Sequence, residues 1–176
     1  QSELEGDVFI HNNRLLRSLG GLEGVTGVGE QGGNSIRISQ NPQLTSIFGL
    51  GGIRGSVLGA IQIFQNPKLQ SLGGLEGITA VLGKVDRRSI WVFENELLTS
   101  IAALDNVRGN IPGSLYVEKN PALESLQGLL GLGACGTLVS HGTGADKNAV
   151  DITSNPKLCV TPSETDALLK LCARSS

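Results

Sequence analysis

The sequence predicts a mainly β protein, a right-handed parallel β-solenoid of about six turns closed by a C-terminal helix, and three observations carry that prediction. Asparagine recurs at Asn13, Asn41, Asn66, Asn95, Asn120 and Asn155, at intervals of 28, 25, 29, 25 and 35 residues. A short aliphatic alternation precedes each of these residues, and spaced leucines follow it. Glycine, 25 of 176 residues, gathers at fixed offsets from the asparagines. Periods of roughly 20–50 residues mark stacked repeats, none of which buries its apolar face alone.

Five residues before each Asn stands Val8, Ile36, Ile61, Ile90, Leu115 or Val150, and three before it Ile10, Ile38, Ile63, Val92, Val117 or Ile152. That is the period of a strand with one buried face. Three residues after the Asn comes Leu16, Leu44, Leu69, Leu98, Leu123 or Leu158, and the first five turns continue with apolar residues such as Leu19, Leu22 and Val25. Serine at plus five (Ser18, Ser46, Ser71, Ser100, Ser125) and glycine at plus eight (Gly21, Gly49, Gly74, Gly128) suit a tight bend. Pro42, Pro67, Pro121 and Pro156 directly follow the Asn, where a missing amide hydrogen suits a corner and not a ladder. Each turn therefore reads as strand, Asn corner, second extended segment and Gly corner. Stacking at about 4.8 Å per turn encloses one aliphatic core. The repeated asparagines read as structural, their amides satisfying backbone groups at the corner. Longer spacings place insertions at one corner, over Gly29 to Ser35, Val85 to Ser89 and Val139 to Ala149, where loops can carry function.

Thr161-Pro162-Ser163-Glu164 combines an N-cap, a proline at the first helical position and a capping-box acid, predicting a helix over about 162–171. Ala167, Leu168 and Leu171 would share one of its faces and close the last turn. The whole chain, 1–176, thus reads as one domain, with repeat turns over about 4–160. A helical rise of about 1.5 Å per residue separates Cys159 from Cys172 beyond the roughly 7 Å that a disulfide spans. The pairing expected is therefore Cys135 with Cys159 or Cys172.

With 14 Lys+Arg against 16 Asp+Glu, the chain has no basic stripe for a phosphate backbone, and nucleic acid is not an expected partner. No apolar run approaches the roughly 18 residues that a spanning helix needs, so no membrane insertion is expected in this segment. The chain starts at Gln1 and contains no Met, from which a removed leader or a larger surface protein is expected. Three cysteines confined to the last quarter suit an oxidising space, and extracellular placement is the expectation.

The run Ile61-x-Ile63-x-x-Asn66-Pro67-x-Leu69-x-Ser71-Leu72-x-Gly74-Leu75-x-x-Ile78 resembles the receptor L domain, over nearly the whole chain. The closing Asn155-Pro156-Lys157-Leu158-Cys159 resembles the end of that family's repeat. The resemblance implies a β-helix with a capping helix, extracellular placement and a non-enzymatic binding role. The N-terminal cysteine pair and the following cysteine-rich module of the receptor domains are missing, so receptor signalling is not implied.

Alternation turns Phe9 and His11, Arg37 and Ser39, Gln62 and Phe64, Trp91 and Phe93, Tyr116 and Glu118, and Asp151 and Thr153 outward on the first strand of each turn. These positions hold five of the six aromatics, which a narrow aliphatic lumen has no room to take. Phe64, Trp91, Phe93 and Tyr116, on three consecutive turns, predict an exposed aromatic patch flanked by Arg37 and Glu118, suited to a protein or glycan ligand. Only two histidines, His11 and His141, occur, far apart in the repeat order, so neither a catalytic base nor a metal or cofactor site is expected. The alternative class is a solenoid whose flat repetitive face is itself the function, as an ice-binding or cell-wall structural protein. The mixed outward row Arg17, Thr45, Gln70, Thr99 and Glu124 counts against an ice plane.

Overall fold

The structure, a computed structural model, describes residues 6–28, 36–135, 150–164 and 166. Six strands, β1 (Val8–His11), β2 (Ile36–Ser39), β4 (Ile61–Phe64), β6 (Arg88–Phe93), β8 (Ser114–Glu118) and β10 (Val150–Thr153), form one parallel sheet in chain order. The second face carries two short parallel pairs, β3 (Gly55–Val57) with β5 (Ile78–Val81) and β7 (Gly109–Ile111) with β9 (Leu132–Cys135). The chain is thus a parallel β-solenoid. Its six rungs are joined by about five circuits, fewer than the six turns expected, because n strands on one face need only n − 1 returns.

Register follows the repeat without slippage on the main sheet from β1 to β4. Val8 pairs with Ile36 and Ile36 with Ile61; Ile10 pairs with Ile38 and Ile38 with Ile63. These aliphatic rows, with Leu44, Leu69, Leu98 and Leu123 from the segment after the Asn, form one continuous buried core. A shift by one residue would turn every aliphatic side chain to solvent, which is why the alternation determines the pairing. At the Gly corner the chain closes through single 3-10 turns at Phe48–Leu50, Ala102–Leu104 and Gln127–Leu129. The repeated serines serve these bends: Ser46, Ser71, Ser100 and Ser125 Oγ each accept the amide hydrogen two residues on. Gly74, at φ +113 and packed on the Ile47 carbonyl, occupies a bend that no side chain would fit.

The Asn corner is a hydrogen-bonded ladder. Asn41, Asn66, Asn95 and Asn120 are fully buried, and each Oδ1 accepts the backbone N–H of the Asn on the preceding rung. Each Nδ2 donates to the carbonyl of the core strand residue one rung earlier, as Asn66 does to Ile38 and Asn95 to Ile63. Asn155 closes the row by accepting the Asn120 amide and donating to Val117, while Asn13 at the other end is exposed. The preceding residue of every rung, Asn12, Gln40, Gln65, Glu94, Lys119 or Ser154, has φ between 51 and 57. Such left-handed residues are costly for non-glycine side chains, and the ladder holds all six there.

At the C-terminal end Thr161 and Glu164 form the expected capping box. The Thr161 amide donates to Glu164 Oε2 and the Glu164 amide to Thr161 Oγ1. Glu164 does more than cap its own turn, because its Oε1 also accepts Ser125 Oγ and the Leu126 amide of the solenoid. Burial alone would raise the pKa of this carboxyl; hydrogen bonds from Thr161, Ser125 and Leu126 outweigh it and hold the group at about 2, against an ordinary 4.5. The remainder of the expected helix, with Ala167, Leu168, Leu171 and Cys172, lies outside the described residues, as do the insertions 29–35 and 139–149. Cys159 is an exposed free thiol, which corrects the first of the two expected pairings of Cys135; the second, with Cys172, lies outside the described residues. Cys159 follows the core-facing Leu158, so alternation turns its side chain away from the interior.

Candidate functional site

On the outward side of the main sheet two rows run across the rungs. One reads Phe9, Arg37, Gln62, Trp91, Tyr116 and Asp151, the other His11, Ser39, Phe64, Phe93, Glu118 and Thr153. Parallel pairing thus brings residues 25 to 29 positions apart in sequence into direct neighbourhood, Trp91 beside Gln62 and Tyr116 beside Trp91. Phe64 and Trp91 stack with centroids 4.5 Å apart and an interplanar angle of 24°, and Phe93 lies 5.6 Å from Trp91. None of these rings belongs to the aliphatic core, in line with a lumen that excludes them.

The patch is not bare. Phe64 and Tyr116 are each only 7% exposed and Trp91 and Phe93 are half-buried, which corrects the expected exposed aromatic surface. Cations cover the rings. The Arg37 guanidinium lies between Phe9 and Phe64, at 5.3 and 5.2 Å from their centroids, and that of Arg88 lies 4.6 Å from Trp91 and 4.7 Å from Tyr116. Lys119 Nζ sits 5.0 Å over Phe93 while pairing with Glu94 at 3.6 Å and Glu118 at 3.7 Å. Planar guanidinium groups stack on ring faces and are weakly hydrated, so the stacking is favourable for ring and cation alike.

Arg37 thus lies over Phe64 and Glu118 stands beside Phe93 in its row, and Arg88 and Lys119 bring two further cations to the rings. Arg88 lies in the segment read as a corner insertion. There Val85 and Arg88 exchange both backbone hydrogen bonds, at 2.8 and 2.9 Å, around Asp86 and Arg87, whose φ angles are 47 and 70. Two consecutive left-handed residues make a type I′ turn. The turn delivers Arg88 into the start of β6, so that its guanidinium reaches over the rings. The sequence signal was weak: a 29-residue spacing, with neither Asn nor Gly in the turn.

Four buried side-chain polar atoms among the described residues lack a hydrogen-bond partner: Arg37 Nε, Gln62 Nε2, Arg88 Nε and Ser114 Oγ. All four belong to the main sheet's strands. Gln62 stands between Arg37 and Trp91 in its row, and Ser114 is in register with Arg88.

A second feature, a long open trough of about 1120 Å³, follows the Asn corner past all six rungs. One wall is formed by the proline positions. The other is a ladder in which Gln40 donates to Gln65, Gln65 to Glu94, and Lys119 pairs with Glu94. The four side chains of that ladder satisfy one another, which leaves this wall less to offer a ligand than the sheet face. Among the described residues no group of three or more His, Cys, Asp or Glu side chains is placed to hold a metal ion, and no helix is long and apolar enough to cross a membrane. Compared with protein-family models, with curated proteins and with solved structures, the chain matches none.

Proposed function

We propose that this chain is an extracellular, non-enzymatic binding module of the receptor L-domain kind, recognising a protein or glycan ligand through the outward face of its six-stranded sheet. The observation that carries the reading is the layered face itself, in which Phe9, Arg37, Phe64, Trp91, Arg88 and Tyr116 stack in sequence. Aromatic and arginine side chains dominate the energetics of interfaces. Here they are ordered before any ligand arrives, so association loses little side-chain freedom. The L-domain part rests on the Asn-Pro-x-Leu corner and its buried ladder, and extracellular placement rests on that resemblance in turn.

The reading of a repetitive face as an ice-binding or wall component has less support. Thr45 and Thr99 of the mixed row donate their hydroxyls to the carbonyls of Arg17 and Gln70 on the rungs before them. The discriminating experiment is a glycan array and a panel of extracellular proteins probed with the parent, Trp91→Ala and Phe48→Ala, with thermal hysteresis measured alongside. Phe48 is 68% exposed but lies at the Gly corner, away from the face. Saturable binding lost in Trp91→Ala and kept in Phe48→Ala is the expected result. Equal binding by the two variants would remove the sheet face from the reading.

A further inference from the structure

We infer that the ligand of the sheet face is an acidic polysaccharide, its carboxylate or sulfate groups received by Arg37 and Arg88 while its sugar rings lie against the Phe64–Trp91 stack. This deepens the binding-module reading and rests on it.

The first ground is the sign of what is unsatisfied. Arg37 Nε, Gln62 Nε2 and Arg88 Nε are N–H donors, they occupy neighbouring rungs of one face, and none has an acceptor among the described residues. Neither arginine forms an ion pair there, whereas Lys119 of the same face has two carboxylates at hand. Buried donors without acceptors are costly, and the two half-buried guanidinium groups to which two of them belong complement a group made only of acceptors. A carboxylate or sulfate is such a group, and a guanidinium fork fits it in a bidentate way.

The second ground separates a polysaccharide from other polyanions. An acidic peptide would bind best by pairing its backbone, yet the strands behind this face already exchange their backbone bonds with both neighbours, from β2 through β8. Nucleic acid needs an extended basic track along its phosphates, and among the described residues this face offers the two guanidinium groups of Arg37 and Arg88, with Lys119 already paired to carboxylates. A stacked pair of rings between two cations, on a flat sheet, suits a chain that alternates apolar ring faces with regularly spaced anionic groups. Trp91 is half-buried, its faces taken by Phe64 and Arg88, and its exposed edge lies between that ring and that guanidinium.

The test uses the full chain and calorimetric titration with four probes: polygalacturonate oligomers, their methyl-esterified form, heparin oligomers and a neutral cello-oligomer. The expected result is binding to polygalacturonate, heparin or both, weakened by salt, and absent for the esterified and neutral probes. Which of the two binds distinguishes carboxylate from sulfate. Arg37→Gln with Arg88→Gln should weaken that binding at least about tenfold, and Arg37→Lys with Arg88→Lys should restore only part of it. Far-UV spectra and melting of each variant exclude unfolding as the cause; if the Gln pair melts early, the Lys pair alone decides, and parental affinity in it overturns the fork argument. Equal affinity for esterified and charged probes refutes the acidic ligand while leaving a glycan-binding face intact. No binding to any probe refutes the inference, and the protein panel then tests the wider reading separately.

Discussion

Truncating Asn66 to alanine removes the centre of the corner ladder, and its cost can be worked out atom by atom. The Asn66 amide accepts the Asn41 backbone N–H at 3.2 Å and Asn41 Nδ2 at 3.1 Å, and donates to the carbonyls of Ile38 and Phe64 at 3.0 and 3.1 Å. Several partners keep a second contact: Asn41 Nδ2 still reaches Ile10, the Phe64 carbonyl still accepts Gln40 and Asn95 Oδ1 still accepts the Asn66 amide. The Asn41 N–H does not; it is left buried without an acceptor, at a cost of about 1–3 kcal/mol. Loss of the two donations to buried carbonyls adds about 0.5–1.5 kcal/mol each. The expected destabilisation is therefore about 2–6 kcal/mol, a shift of the urea midpoint by about 1 M or more. Asn13→Ala is the internal control. Its side chain donates to His11 and Asn41 but is exposed, and no described backbone amide depends on its oxygen, so it should lose less than about 1 kcal/mol. Equal losses in the two variants would refute the claim that the ladder works by satisfying buried amides.

Two further outcomes follow from the C-terminal end. Because Glu164 has a folded pKa near 2, below its ordinary 4.5, the stability it contributes is complete above about pH 4.5 and disappears as pH falls toward 2. Parent protein should lose up to about 3 kcal/mol more than Glu164→Gln across that window in urea titrations, and parallel declines would show that the carboxylate does not tie the last turn to Ser125 and Leu126. Cys159, exposed and free, should react with a disulfide reagent in the native state, and Cys159→Ser should remove one equivalent of that reaction. A native protein in which Cys159 is inert would reinstate its pairing.

The parts of this molecule that were legible from sequence depend on alternation and period, which are local. Ile36, Ile38, Ile61 and Ile63 declare their face through their spacing alone, and the asparagine period sets the rung length. Glu164 was legible as a capping acid because the capping box is a four-residue pattern, but its reach to Ser125 and Leu126 crosses 39 and 38 residues and leaves no local mark. The Cys159 alternative of the disulfide expectation fails for a related reason, while the Cys172 alternative lies outside the described residues. Spacing bounds which cysteines are able to meet; it does not say that they do, and Cys159 faces outward.

The sheet face marks the same boundary more sharply. Exclusion of rings from a lumen packed with Ile, Leu and Val puts Phe64, Trp91 and Tyr116 outside, and that much is a statement about volume. What lies over the rings is set by rung-to-rung neighbours. Arg37 covers Phe64 from 27 residues away, and Arg88 reaches Trp91 and Tyr116 only because the Asp86-Arg87 turn feeds it into β6. The consequence is chemical as well as steric. An exposed aromatic surface would select for ring faces and apolar area, whereas one interleaved with guanidinium groups that form no ion pair among the described residues adds a demand for anions, so the charge proposed for a ligand rests on contacts that the repeat pattern by itself does not specify.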